Sequence, residues 1–270
     1  MKEETGYYDS WKEDRDIILE YNQVSLDDVN IINILSTGID NLTCEQAVVK
    51  VMKMIEDGDV HHVIPLNPYK IHRIKSSYDT KLISSKASML LATGGGIQWA
   101  AKMRGTPLKE RVPLLSFLMD LVRISEVKEY TIFFVGAKSE IVEKAYCNIK
   151  KSFPKIRIIG RHGGFFNEER EKSVVEAIRK SEADIIFVGL GFPQEDKWIN
   201  KIRNEFRKGV FISVGGCIDI LSGEIKKAPP FFMKNGFDWF YRIITRPWRY
   251  GRLLRLFLLY FEIIIRKIFS

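Results

Sequence analysis

Cysteine is scarce in this chain, and a long apolar run is missing altogether. Three cysteines, Cys44, Cys147 and Cys217, are an odd number with no metal-ligand spacing. They read as reduced thiols in a cytoplasm rather than a disulfide framework or a zinc site. No strand-to-helix segment carries the Gly-Lys-Ser/Thr ending of a P-loop or a clean G-x-G-x-x-G fingerprint, which excludes those two nucleotide sites in their usual form. An RNP pattern and zinc-finger spacing are also lacking, so nucleic acid is not an expected partner. Residues 1–20 include Lys12, Glu13, Asp14 and Arg15 and have no apolar core, so no secretory signal is expected there. Repeats and low-complexity linkers are absent as well. What remains is ordinary for a folded chain: 270 residues, 46% hydrophobic and 28% charged, enough for one large domain or two small ones and incompatible with global disorder.

Charge is unevenly placed. Between Lys226 and Ser270 there are ten Lys or Arg against Asp238 and Glu262. That surplus equals the formal charge of the whole chain, +8, so the preceding residues sum to zero. A neutral body with a basic tail points to an anionic partner, either phosphate or an anionic lipid surface.

Residues 1–30 read as a polar, weakly structured lead-in. Val29 to Leu35 reads as a strand ending in Ser36-Thr37-Gly38. Thr43 then caps a helix, with Gln46 three residues later completing a capping box. His61 to Leu66 is a second strand, closed by Asn67-Pro68. One helix carrying Ile71, Ile74 and Leu82 follows, and then an apolar strand, Met89 to Ala92. Strands at Thr131–Val135, Ile156–Ile159, Asp184–Leu190 and Val210–Val214 alternate with helices that begin near Ser139, Glu168 and Gln194. This alternation predicts a Rossmann-like α/β fold, a parallel sheet with helices on both faces. The expected division is a lead-in over 1–30, a Rossmann-like α/β domain over 31–228 and a basic amphipathic helical appendage over 229–270.

In open α/β sheets ligands bind at the carboxyl ends of the strands. The candidate loops are Asn67-Pro68, Thr93 with Gly94, Gly95 and Gly96, Gly136-Ala137, Gly160 to Gly164, Gly191-Phe192-Pro193 and Gly215-Gly216. Any one of them reads as readily as a tight packing turn. Six at successive strand ends favour a phosphate-bearing ligand, because glycine lets backbone N–H groups approach and helix N-termini favour negative charge.

At this point the chain resembles the TagA/WecG/CpsF family, glycosyltransferase family 26. The resemblance rests on Pro107-Leu-Lys-Glu-Arg-Val112, Phe153-Pro154 with Ile159-Gly160, Val188-Gly-Leu-Gly-Phe-Pro193 through Trp198, and Val214-Gly-Gly-Cys-Ile-Asp219. It continues through Ser222-Gly223, Lys227-Ala-Pro229, Trp239-Phe-Tyr-Arg242 and Arg246-Pro-Trp-Arg-Tyr250. It implies inverting, metal- and cofactor-independent transfer of a hexose or N-acetylhexosamine-type sugar. The donor would be a UDP-sugar and the acceptor a polyprenyl-diphosphate-linked sugar, in cell-surface polysaccharide synthesis. Arg242, Arg249 and Arg252 match arginines that neutralise the donor diphosphate, with lipid head groups as their other reading. Asp219 matches an acid that binds donor hydroxyls, with a helix N-cap as the alternative. Asn67 falls in the catalytic segment, and Phe165, Gln194 and Glu195 in substrate-binding ones, beside the loop glycines Gly94, Gly95, Gly136, Gly191 and Gly215.

The departures are on the acceptor side. Thr93 stands where the family places a catalytic aspartate, and a hydroxyl is not ionised near neutrality. Ser116 replaces a second acid, Phe165 replaces an aromatic hydroxyl, and the usual Pro-Lys-Gln-Glu run reads Pro193-Gln-Glu-Asp196. Asp79, Glu195, His61 and His162 are candidates for a substitute base. The alternative is a catalytically impaired nucleotide-sugar or lipid-binding partner of such a transferase.

Tyr250 to Ser270 is strongly apolar between arginines, but its uncharged run, Leu256 to Phe261, is far short of the ~20 residues that span a bilayer. It reads as an interfacial helix on the inner, cytoplasmic face of the cell membrane, or as a contact in a homo-oligomer.

Overall fold

In a computed structural model, residues 17–226 are described, together with residues 228, 229, 231, 232, 241 and 245. Apart from those isolated positions, the expected appendage lies outside the described residues, including Arg242, Arg249, Arg252 and the apolar stretch after Tyr250.

The chain forms α1 (Ile17–Asn22), the hairpin β1 (Asn30–Ile34) and β2 (Thr37–Asn41), and α2 (Cys44–Asp57). Next come β3 (Val60–Leu66), α3 (Pro68–Ser76), α4 (Tyr78–Ser85), β4 (Met89–Ala92), α5 (Gly95–Met103) and α6 (Leu114–Lys128). The second half runs β5 (Thr131–Gly136), α7 (Ser139–Ser152), β6 (Arg157–His162), α8 (Glu168–Ser181), β7 (Ile185–Gly189), α9 (Gln194–Ile202), β8 (Gly209–Ser213) and α10 (Cys217–Leu221). The eight strands lie in the order β1-β2-β4-β3-β8-β7-β5-β6, and every neighbouring pair except β1 with β2 is parallel. This is the expected Rossmann-like architecture, with one antiparallel strand added at an edge.

Alternation along the central strands divides the core. Val63, Leu91, Phe134, Phe187 and Ile212 face one layer and pack with Val48, Val51, Leu118, Val122, Ala145 and Ile149 of α2, α6 and α7. On the other face the apolar residues fall into two groups. Ile64, Leu66, Leu90 and Ala92 pack with α3 and α5 through Ile71, Ile74 and Ile97. Val135, Ile186, Val188 and Phe211 pack with α8 and α9 through Val174, Ile178 and Ile199.

The structure corrects several sequence expectations. Part of the lead-in is helical, since α1 lies within it and its Tyr21 is buried in the core. The first strand does not end at Leu35. Leu35 and Ser36 take left-handed φ values of 50° and 68° and turn the chain back into β2. The single helix expected over Ile71 to Leu82 is two, because Ser77 is extended between them. The break shifts the helical register, so Leu82 is exposed and Ile83 is buried. Helix α6 fills a stretch to which the periodicity reading assigned no element. Strand β6 runs on to His162, which is therefore a strand residue and not a loop one.

Candidate functional site

The connection leaving β5 runs outward through α7 to β6, while that leaving β7 turns back through α9 to β8. Adjacent strands β5 and β7 thus form a topological switch point, where two connections diverge and a crevice opens above the carboxyl ends. Glycine makes the floor of that crevice. Gly136 has φ 127°, and a Cβ on it would stand 2.5 Å from the carbonyl carbon of Gly189. A Cβ on Gly164 would come within 2.8 Å of Gly136 Cα, and one on Gly189 within 2.8 Å of the Gly215 oxygen. Hydrogen bonds from Ala137 N–H to Gly189 O (3.1 Å) and from Gly164 N–H to Ala137 O (2.8 Å) tie the loops together. These glycines therefore pack backbone on backbone across the ends of four neighbouring strands, β8, β7, β5 and β6. Gly191, with φ 80°, has open space where a Cβ would be, and Phe165 stands at the rim with 78% of its surface exposed.

Further along the same edge, Asn67 caps α3 by accepting the Lys70 N–H at 2.9 Å. Thr93 extends the β3–β4 ladder, with its N–H and its hydroxyl both donating to Leu66 O at 2.9 and 2.7 Å. Its proton is thereby committed to a backbone carbonyl. Gly94 caps α5 and Gly95 begins it. A Cβ on Gly94 would lie 3.0 Å from Pro68 Cδ and 3.4 Å from Asn67 Cβ, so these two loops touch. Val112 N–H donates to Ala92 O at 3.0 Å, which brings the Glu-Arg-Val segment against the end of β4.

Asp219 sits in the first turn of α10, whose N-cap is Gly216, so the N-cap reading of Asp219 is overturned. A Cβ on Gly216 would stand 3.4 Å from its Oδ2, which places the carboxylate near the loop after β8. Gln194, the first residue of α9, is exposed.

Beneath these loops lies a cluster that sequence reading did not assemble. Lys70, Glu195, Asp196, His62 and Ser213 are all buried, and they occupy the gap between the two apolar groups on this face of the sheet. Lys70 Nζ donates to Glu195 Oε1 at 3.1 Å and to Asp196 Oδ2 at 3.5 Å, and lies 5.1 Å from the Phe192 ring centroid. Ser213 Oγ donates to Asp196 Oδ1 at 2.5 Å, and His62 Nε2 lies 3.2 Å from Ser213 Oγ and 3.5 Å from Asp196 Oδ1. Glu195 Oε2 accepts two backbone N–H groups, from Gly191 at 3.1 Å and Gly215 at 3.0 Å. Burial acts on every member. It pushes the His62 pKa down, so the imidazole is neutral, and pushes the Glu195 carboxyl up. It also works to raise Asp196, but the Lys70 ammonium and the hydrogen bonds from His62 and Ser213 prevail and hold it at about 2. For Lys70 the two carboxylates outweigh burial, and its pKa is raised.

Lys70 could have been suspected, because it falls at the core-facing spacing of Ile71 and Ile74, where a lysine must find a buried partner. Asp196 and Ser213 carry no comparable signal.

The structure separates the candidate bases. His61 lies at the amino end of β3, five residues before Leu66, and pairs there with Asp57 at 2.8 Å. At about 3.3 Å per residue it is on the opposite edge of the sheet from the loops, which removes it as a base. His162 is at the carboxyl edge, and its Nδ1 meets Gly163 O at 2.6 Å. It belongs to the outermost strand, five places from β4, about 24 Å from Thr93 by strand spacing. Asp79 is exposed on α4 and pairs with Lys197 at 3.1 Å. A cavity of about 290 Å³ lined by Ile178, Ala183, Phe206 and Lys208 lies at the amino ends of β7 and β8, away from all of these loops.

A mostly parallel sheet with a crevice at its switch point and polar loops gathered over its carboxyl ends defines a Rossmann-like α/β protein with a ligand crevice at that edge. The model of the glycosyl transferase WecG/TagA/CpsF family matches residues 32–270, and the chain belongs to this family. It is similar to an N-acetylglucosaminyldiphosphoundecaprenol N-acetyl-beta-D-mannosaminyltransferase of Bacillus spizizenii, 33% identical over 64% of this chain and 66% of that protein. A protein of the same description from Staphylococcus aureus is 29% identical over 82% of this chain and 87% of its own length. Among the described residues no helix is long and apolar enough to cross a membrane.

Proposed function

We propose that the chain transfers an N-acetylhexosamine-type sugar, with inversion, from a UDP-sugar to a polyprenyl-diphosphate-linked N-acetylglucosamine. The observation that carries this reading is the family match over nearly the whole chain, joined to a run of loops along one sheet edge. Relatives named for transfer to an undecaprenyl-diphosphate-linked sugar supply the acceptor class. The nucleotide would lie over the switch-point loops, with Phe165 at the rim and Asp219 toward the ribose or sugar hydroxyls. The transferred sugar and acceptor would meet toward Asn67 and Thr93. A departing UDP gains negative charge, which Arg242, Arg249 and Arg252 would neutralise. The basic apolar tail would hold the enzyme peripherally on the inner membrane leaflet, where its acceptor resides.

A second reading is favoured by one specific contact. The Thr93 hydroxyl donates to Leu66 O, and in place of a carboxylate it leaves the acceptor hydroxyl without the usual proton acceptor. On that reading the protein binds UDP-sugar without turnover. Calorimetric titration with UDP tests the donor site. Wild type should bind, and Arg249→Ala should bind roughly tenfold to a hundredfold more weakly, since a hydrogen bond to a charged group is worth about 1.5–3 kcal/mol. Equal affinity in both proteins removes Arg249 from the site.

A further inference from the structure

We infer that Glu195 is a positioning residue: its buried carboxylate clamps the Gly191 and Gly215 loops and, through Lys70, fixes them to the Asn67 end of the site. This inference rests on the UDP-sugar reading given above, and it assigns Glu195 a task different from that of a general base.

The geometry is specific. A single oxygen, Oε2, takes the N–H groups of Gly191 and Gly215, which follow β7 and β8. The other oxygen takes the Lys70 ammonium from α3, the helix that Asn67 caps. One side chain thus joins the loops after three adjacent strands, β3, β8 and β7. Both loop glycines sit at left-handed φ, 80° at Gly191 and 51° at Gly215, a backbone that relaxes readily unless something holds it. The N–H groups that Glu195 captures are those of a turn at the floor of the proposed donor site. With 1% of its surface exposed, the carboxylate has no access to an acceptor hydroxyl.

The clamp and the base make opposite demands on this position. A clamp needs an oxygen at a fixed reach; a base needs an ionisable carboxylate. Glu195→Gln keeps the reach and one oxygen for the two glycine N–H groups, while it removes the charge and gives up the Lys70 contact. Glu195→Asp keeps the charge while withdrawing the oxygens by one methylene, out of reach of two loops at once.

The deciding measurement is UDP affinity by calorimetry on full-length wild type, Glu195→Gln and Glu195→Asp, with donor KM and kcat where transfer is observed. The clamp predicts Glu195→Gln within about threefold of wild-type affinity and Glu195→Asp at least tenfold weaker, with donor KM following the same order. The reverse order, with Glu195→Gln losing kcat at unchanged UDP affinity while Glu195→Asp retains turnover, makes the residue a base and overturns the inference. Equal UDP affinity in all three proteins overturns it too and leaves the donor reading intact. Wild type that does not bind UDP sinks the donor reading itself, and the inference with it.

Discussion

Replacing Lys70 with methionine tests whether the buried cluster is held by charge. Lys70→Met keeps an unbranched chain of similar length along Phe192 and removes only the ammonium. Glu195 and Asp196 then face each other without a cation, although Glu195 keeps its two backbone N–H donors and Asp196 keeps Ser213. Breaking a buried pair by removing one partner costs about 3–5 kcal/mol. The remaining donors, and the ease with which Glu195 takes a proton, place the expected loss at the lower end, about 3 kcal/mol at pH 7. The pH dependence has a definite sign. Lys70 lowers both carboxyls, so its removal raises their folded-state pKa values. The cost of two buried carboxylates without a cation is relieved as they take up protons and grows as pH rises. The gap between variant and wild type should be widest near neutrality and should narrow toward pH 4. Urea unfolding followed by circular dichroism at pH 7 and pH 4.5 measures it. A loss under about 1 kcal/mol at pH 7, or one that does not vary with pH, would refute an ionic role for Lys70.

Asp120, half-buried against Cys44, is raised by desolvation to about 6; the stability its protonated form contributes is present below about pH 3.8 and lost as pH rises through 6. Asp120→Asn should therefore stabilise the fold by up to about 3 kcal/mol at pH 7.5, with the gain vanishing by pH 4 in the same urea assay. Thr93→Asp should raise transfer by tenfold or more, since a placed carboxylate base contributes about 10²–10⁴-fold, whereas Thr93→Ala should retain most of the wild-type rate in a product assay. A truncation after Tyr250 removes Arg252, Arg255, Arg266 and Lys267, each worth roughly 1 kcal/mol near an anionic surface. It should lose co-sedimentation with anionic vesicles at low salt, whereas full-length protein that ignores such vesicles would make the tail a subunit contact.

The α/β alternation was legible because its signals are local. Thr43 and Gln46 form both hydrogen bonds of the capping box, and each of the four expected strands in the second half overlaps a real one. Strand β2 was not legible. Thr37-Gly-Ile-Asp-Asn41 is a poor strand sequence, and a turn through Leu35 and Ser36 lacks the Asn-Gly or Asp-Gly pair that marks tight hairpins. Tertiary pairing decides that strand: Ile39 is fully buried, and Asp40 accepts the Leu90 N–H at 2.8 Å. Helix α6 hid for another reason. Leu115, Phe117, Leu118, Met119, Leu121 and Val122 are all buried, so its pattern is too continuous to show a single apolar stripe. For the site, composition and spacing marked the loops after the strands but not what holds them. Glu195 read as a substrate-binding residue or a substitute base, and only the approach of Lys70 from 125 positions earlier in the chain reveals its buried pairing. The long-range ion pair is a property of the fold, and no window of sequence contains it.

The central claim is sugar transfer, and the most direct measurement supplies both substrates. Full-length protein with anionic vesicles, UDP-N-acetylmannosamine and a polyprenyl-diphosphate-linked N-acetylglucosamine should yield a lipid-linked disaccharide and one equivalent of UDP. That product should fall when Arg249 is replaced by alanine. Binding of UDP with no disaccharide formed, by wild type and by Thr93→Asp alike, would contradict the account.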